Sequence, residues 1–216
     1  MTRTLVIDTA TAACSVAVIE DGRVTGAIHE AVGRGHAERL VPMIAELMGD
    51  TRADAVLVDC GPGSFTGVRV GLAASIGLGI GWGVPVSGYT STALIAAAAF
   101  DDHPDWDALA VVLEGGHGEL FMHGYDRSMV SAAPLASLKP EDVLTLLAGR
   151  PAVGSGAKRL PDGVAIDALP NAARAILLPD RLRALPPKPI YGRAPDAKPA
   201  PSAAEGPQGP KPAIPA

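Results

Sequence analysis

Along the first hundred positions, apolar residues fall in short separated runs whose spacing alternates between the strand and helix periods. Thr4 to Asp8 is a compact β-branched run ending in a carboxylate and predicts a buried strand. Ser15 to Glu20 predicts a second strand. Asp21-Gly22 is a hairpin signal, and Arg23 to Glu30 follows as a third strand. Residues 36–48 carry Leu40, Ile44 and Leu47 on one helical stripe, with Met43 and Met48 beside it and Pro42 as an expected kink. Val56 to Asp59 predicts a fourth strand, 64–81 a helix, Val84 to Ser87 a fifth strand and Thr90 to Phe100 a helix with hydroxyl caps.

The order β-β-β-α-β-α-β-α implies an antiparallel meander followed by parallel strands with crossover helices. That is the ribonuclease-H-like half-unit, so the fold class is α/β. After Phe100 the pattern weakens to a hairpin around Gly115-Gly116 (Leu109 to Glu114, Glu119 to Tyr125) and a short helix from Pro140 to Leu147. The expected organisation is an N-terminal lobe at 1–100, a smaller second lobe at 101–185 and a Pro-rich tail at 186–216. Half of the 20 prolines lie in that tail, which has little apolar surface to bury and is expected to be mostly disordered.

The 67–82 stretch changes the picture most. Gly67, Gly71, Ser75 and Gly79 recur every four residues and form a ridge with almost no side chain. Apolar rows flank it: Val68, Leu72, Ile76 and Ile80 on one side, Val70, Ala74, Leu78 and Trp82 on the other. A helix that is apolar all round is normally buried all round, and a sheet covers only one side. The ridge therefore packs closely within the chain, against the 36–48 helix, or receives a helix from another subunit. Both readings stand on the residues alone.

Charge narrows the partners. The chain carries 18 basic and 23 acidic side chains, and the acidic excess lies before the tail. An acidic body repels phosphate backbones, so any nucleic acid is expected to be gripped by another chain. The N-terminal apolar run is too short and too soon acidic for a signal peptide, and Val68 to Trp82 contains Arg69 and is shorter than a typical span. A cytoplasmic protein without a membrane segment is expected. Cys14 and Cys60 make no disulfide framework, and the five histidines have no ligand spacing, so no metal site and no nucleophile are expected in this chain.

Two loops invite an anion. Asp8-Thr9-Ala10-Thr11 puts a carboxylate and hydroxyls at a hairpin tip, where nucleotide-binding folds of this shape approach phosphates. The plainer reading is an Asx-type turn. Gly61-Pro62-Gly63-Ser64-Phe65-Thr66-Gly67 follows a strand and opens a helix. It lacks the Lys-Ser/Thr of a P-loop, the glycine spacing of a dinucleotide fingerprint and the flanking glycines of a nucleophile elbow.

At these residues the chain resembles the TsaB (YeaZ) family of tRNA threonylcarbamoyladenosine synthesis. The resemblance rests on Ile7-Asp8-Thr9-Ala10 with Cys14-Ser15-Val16-Ala17, on His36-Ala37-Glu38 with Leu40 and Pro42, and above all on Gly61 to Gly71 (GPGSFTGVRVG). Gly154-Ser155-Gly156 and Pro189-Ile190-Tyr191-Gly192-Arg193 match later positions, so coverage is dense to Phe100 and thin to about residue 200. The resemblance implies an actin-like ATPase-superfamily fold of two ribonuclease-H-like lobes, the second reduced. It also implies a non-catalytic subunit that pairs with the catalytic subunit TsaD, the ATPase TsaE joining them. The complex moves threonylcarbamoyl from its AMP adduct to N6 of the adenosine 3′ of the anticodon.

On that resemblance the partner interface is expected on His36, Leu40, Met43, Ile44, Leu47, Gly67, Val70, Gly71, Ser75, Leu78 and Gly79. Asp8, Thr9 and Thr11 would be a vestigial nucleotide site. ATP and metal belong to the partner subunits, tRNA is met only through the complex, and a homodimer of the isolated chain is kept beside the heterodimer. TsaD holds metal through an HxxxH pair, whose positions here fall on Ser91 and Ile95. Family members usually have Asp-Ala-Arg where this chain has Glu114-Gly115-Gly116. The alternative from another class is a self-sufficient enzyme, either a nucleotide phosphotransferase or a glycoprotease-like metallopeptidase.

Overall fold

A computed structural model describes residues 2–193. β1 (Arg3–Asp8), β2 (Ala13–Glu20) and β3 (Arg23–Ala31) form the expected meander. Asp21 and Gly22 both take positive φ (47° and 77°), the conformation that joins two strands in the tightest hairpins. α1 (His36–Met48) leads to β4 (Ala55–Asp59), α2 (Phe65–Trp82) to β5 (Val86–Tyr89), and α3 (Ser91–Asp102) follows. The sheet order is β3-β2-β1-β4-β5, with β1 antiparallel to β2 and parallel to β4. This is the ribonuclease-H-like order. The ends of β1 and β4 therefore lie side by side where the connectivity reverses direction.

Alternation along β1 divides the core. Leu5 and Ile7 point to α1 and α2, where they meet Leu40, Met43, Ile44, Val68 and Leu72. Val6 points the other way, towards α3 and the second sheet, into a cluster with Tyr89, Leu94, Phe100, Val111 and Phe121. α3 is thus covered from both sides, which is why its Ala-rich sequence is buried almost throughout.

The second sheet contains β6 (Ala108–Gly116), β7 (Glu119–Asp126), β8 (Ser131–Leu138) and β9 (Ala152–Val153), in the order β8-β7-β6-β9. α4 (Pro140–Leu147) covers its outer face with Val143 and Leu147. Two α/β units, the second smaller and with one main helix, make up the described residues.

Several expectations shift. The second hairpin turns at His117-Gly118, both at positive φ (51° and 83°), and Gly115-Gly116 belong to β6. β5 begins two residues later than expected, because Gly83 ends α2 in the left-handed conformation (φ 70°) and Val84 still bonds back to the Gly79 carbonyl. β8 was not foreseen: SAAPLASL has no β-branched residue and carries Pro134, which only an edge strand tolerates. β9 is too short to show in a pattern. α1 runs through Pro42 without interruption.

The start of the 186–216 tail docks on the body. Leu185 forms a two-bond bridge with Gly88, and the Ile190 amide donates to the Cys60 carbonyl at 2.7 Å. The Tyr191 hydroxyl accepts from Arg69, and Gly192 packs on the Phe121 ring. The remainder of the tail, 194–216, lies outside the described residues.

Candidate functional site

The β1 tip is closed by the chain itself. Asp8, Thr9 and Thr11 are all buried. The Thr9 hydroxyl donates to the Gly67 carbonyl at 2.7 Å, and Thr11 Oγ1 accepts from the Ala13 amide at 3.3 Å. The Ser64 amide donates to the Ala10 carbonyl at 2.6 Å, so the loop that would present amides to an anion is laid across the hairpin tip. The three candidate nucleotide-site residues do not converge on an open cleft.

Beneath this closure lies an acidic pair that the motifs did not single out. Asp8 and Asp59 end the adjacent strands β1 and β4 and are fully buried. Tyr89 donates to Asp8 Oδ2 at 2.9 Å, and the Gly61 amide donates to Asp59 Oδ1 at 2.7 Å. Ser91 Oγ lies 2.6 Å from Asp59 Oδ2 and 2.9 Å from the Pro62 carbonyl. Burial pushes the Asp8 carboxyl well above the usual carboxylate range, and the neighbouring Asp59 charge adds to this. Burial likewise raises Asp59, to about 6. The available signal was positional: both carboxylates close strands that the pattern makes parallel neighbours. Ser91 is thus committed to this cluster, and Ile95 lies in the core.

The glycine ridge faces inward. A Cβ at Gly67 would overlap the Thr9 carbonyl oxygen, one at Gly71 would lie 2.5 Å from Thr9 Oγ1, and one at Gly79 would overlap the Val86 side chain. Ser75 is fully buried and its hydroxyl has no hydrogen-bond partner. The ridge thus packs against the chain's own sheet, not against α1 or a foreign helix. His36 is buried with Nε2 3.1 Å from the Ala13 carbonyl, and Leu40, Met43 and Ile44 are buried with it. Of the expected interface residues, only Leu47, Val70 and Leu78 stay partly exposed. The ridge packs inside the chain, but on the sheet and the β1 tip and not on the 36–48 helix as expected.

The exposed face of α2 is a different arc. Each step of four residues advances about 40° round a helix with 3.6 residues per turn. The row Val68, Leu72, Ile76, Ile80 therefore starts in the core and ends in solvent, with Ile80 79% exposed and Ile76 42% exposed. Gly77 and Gly81 share that face, and a Cβ on either would meet nothing within 4 Å. At the N-terminal end, exposed Phe65 lies under the Arg69 guanidinium, 3.6 Å from its ring centre. On α1, Val41 is 63% exposed. By length and composition alone α2 could cross a membrane, its span beginning earlier than the sequence suggested, but here its inner arc packs on the sheet.

Two other candidate segments are structural. A Cβ at Gly154, which has φ 129°, would overlap the Val112 carbonyl, and one at Gly156 would lie 2.8 Å from a Val112 methyl. Glu114 is exposed, and its amide donates to Ser155 Oγ at 3.2 Å.

Comparison with known proteins gives concordant matches. The family profile described as TsaD, tRNA N6-adenosine threonylcarbamoyltransferase, matches residues 17–180. The tRNA threonylcarbamoyladenosine biosynthesis protein TsaB of Escherichia coli (strain K12) is 35% identical over 173 residues, 74% of this chain and 74% of its own length. The protein of the same name from Haemophilus influenzae is 39% identical over 113 residues, and the match spans 50% of this chain and 48% of the relative. The solved structure of YeaZ from Pseudomonas aeruginosa superposes with a TM-score of 0.74 at 29% identity, covering 88% of this chain and 100% of that one.

Proposed function

The chain belongs to the TsaB/YeaZ family, and on that premise we propose that it acts in threonylcarbamoyladenosine synthesis on tRNA as a non-catalytic subunit. It pairs with TsaD, and TsaE joins the pair, in the compartment that holds tRNA, the cytoplasm. The observation that carries this reading is the outer arc of α2. Phe65, Ile76 and Ile80 of α2 and Val41 of α1 are large apolar side chains left exposed. Exposed apolar residues that gather into a patch usually mark protein–protein contact. The interface is thus moved from the buried ridge to the face beside it.

The β1 tip supports the non-catalytic part. The Thr9 and Thr11 hydroxyls are engaged inside the chain, and Ser91, which the family resemblance sets opposite a TsaD metal ligand, bonds Asp59. ATP and metal belong with the partners, and tRNA is met only in the complex. The test is reconstitution with purified TsaD, TsaE, threonylcarbamoyl-AMP and tRNA. Transfer is expected only when this chain is added to the partners. Transfer, ATP hydrolysis or peptidase turnover by the chain alone, or full activity of the partners without it, would overturn the proposal.

A further inference from the structure

The Asp8–Asp59 pair has fewer protons than its hydrogen-bond geometry requires. The Tyr89 hydroxyl owns one proton and faces two acceptors, Asp8 Oδ2 at 2.9 Å and the Ile7 carbonyl at 3.3 Å. The Ser91 hydroxyl likewise faces Asp59 Oδ2 at 2.6 Å and the Pro62 carbonyl at 2.9 Å. The two carboxyl groups close neighbouring parallel strands side by side, and bare carboxylates are acceptors only. One more proton would complete the network.

The surroundings supply no cation. From β2 the pair faces Cys14, from β5 Tyr89, from α3 Ser91, and beside Asp59 stands Cys60. Burial pushes both thiols up to about 11 and holds the phenol well above its ordinary value, so all of these are neutral at neutral pH. Among the described residues, no Lys, Arg or His bonds either carboxylate. Two buried charges of one sign in such a site cannot both persist.

We propose that Asp8 and Asp59 share a single proton at neutral pH and form a pH-sensitive latch between the β1 tip and the loop that starts α2. While the proton is held, Asp59 accepts from the Gly61 amide and the Ser64 amide stays on the Ala10 carbonyl. When the proton leaves to solvent, two facing negative charges drive the strand tips apart and free the Gly61–Ser64 loop. The latch goes beyond the partner reading and does not depend on what occupies α2.

The sign follows from linkage. A carboxyl raised in the folded state holds its proton more tightly folded than unfolded, so its stabilisation is lost as pH rises above the ordinary carboxylate range. The first measurement is infrared spectroscopy of the full chain. A protonated carboxyl band should persist at pH 7 and disappear on alkaline titration, and its absence at pH 7 overturns the proposal. The second is hydrogen exchange at the Gly61 and Ser64 amides, as protection factors. Protection should fall in step with the band, and protection that stays constant through its loss rejects the latch. The third uses Asp8→Asn. Its stability profile above pH 6 should be flatter than that of the unmodified chain, and parallel profiles contradict a shared proton.

Discussion

The Thr9 hydroxyl donates to the Gly67 carbonyl at 2.7 Å, and the Gly67 Cα comes so near the Thr9 carbonyl that a Cβ has no room. This reciprocal contact fastens the β1 tip to the first turn of α2. Gly67→Ala forces two rigid backbones apart, and overpacking of this kind costs typically about 1–3 kcal/mol. Denaturant titration should show at least that loss, with partner affinity per folded molecule unchanged. Stability equal to that of the unmodified chain would refute the contact.

Ser75 makes the opposite prediction. Its buried hydroxyl has no hydrogen-bond partner, and an unsatisfied buried polar group costs about 1–3 kcal/mol. Ser75→Ala removes the group and improves helix propensity, so the denaturation midpoint should rise by the equivalent of about 1 kcal/mol. A lower midpoint would mean the hydroxyl is bonded after all. Ser75→Leu, by contrast, should destabilise the monomer, since the residue faces the sheet.

The docked strap gives a third. Pro186 to Arg193 spans both sheets, with Ile190 on Cys60 and Gly192 on Phe121. Truncation after Leu185 should lower the thermal midpoint measurably. An unchanged midpoint would show that the strap contributes no stability.

His123 contributes to the acid limb. His123 Nδ1 lies 2.9 Å from the Tyr125 hydroxyl and 3.1 Å from Thr92 Oγ1, and burial lowers its pKa below the usual 6.5. At this site the unfolded imidazole binds its proton more readily, so the His123 contribution to stability is lost as pH falls through 6.5. His123→Gln should lose less stability than the unmodified chain between pH 7 and 5. Equal losses would place the titrating group elsewhere.

Much of the first lobe was legible because its signals are local. The Asp21-Gly22 turn, the strand-ending carboxylates and the Ser64 cap of α2 need no tertiary information. The second lobe was less so: β8 pairs through its backbone as an edge strand, and its side chains carry no strand pattern. The burial of the expected ridge has a geometric source. The ridge at Gly67, Gly71, Ser75 and Gly79 and the arc at Ile76 and Ile80 share a helix with almost no charged residue, and only the position of β1 and β4 decides which one is covered. Asp59 was visible as a strand end, but its meaning depends on the parallel register that brings it beside Asp8.

The most direct test of the account is the affinity of TsaD for Ile80→Asp, measured by calorimetry beside the variant's thermal midpoint. Ile80 is 79% exposed, so the folded monomer should keep its midpoint, surface changes usually costing within about 0.5 kcal/mol. A central interface residue is worth about 2 kcal/mol or more, or roughly a thirtyfold loss of affinity. Weakened binding with an intact midpoint is the predicted result. Full-affinity binding by the folded variant would contradict the assignment of the outer face of α2 as the surface through which this chain serves its partner.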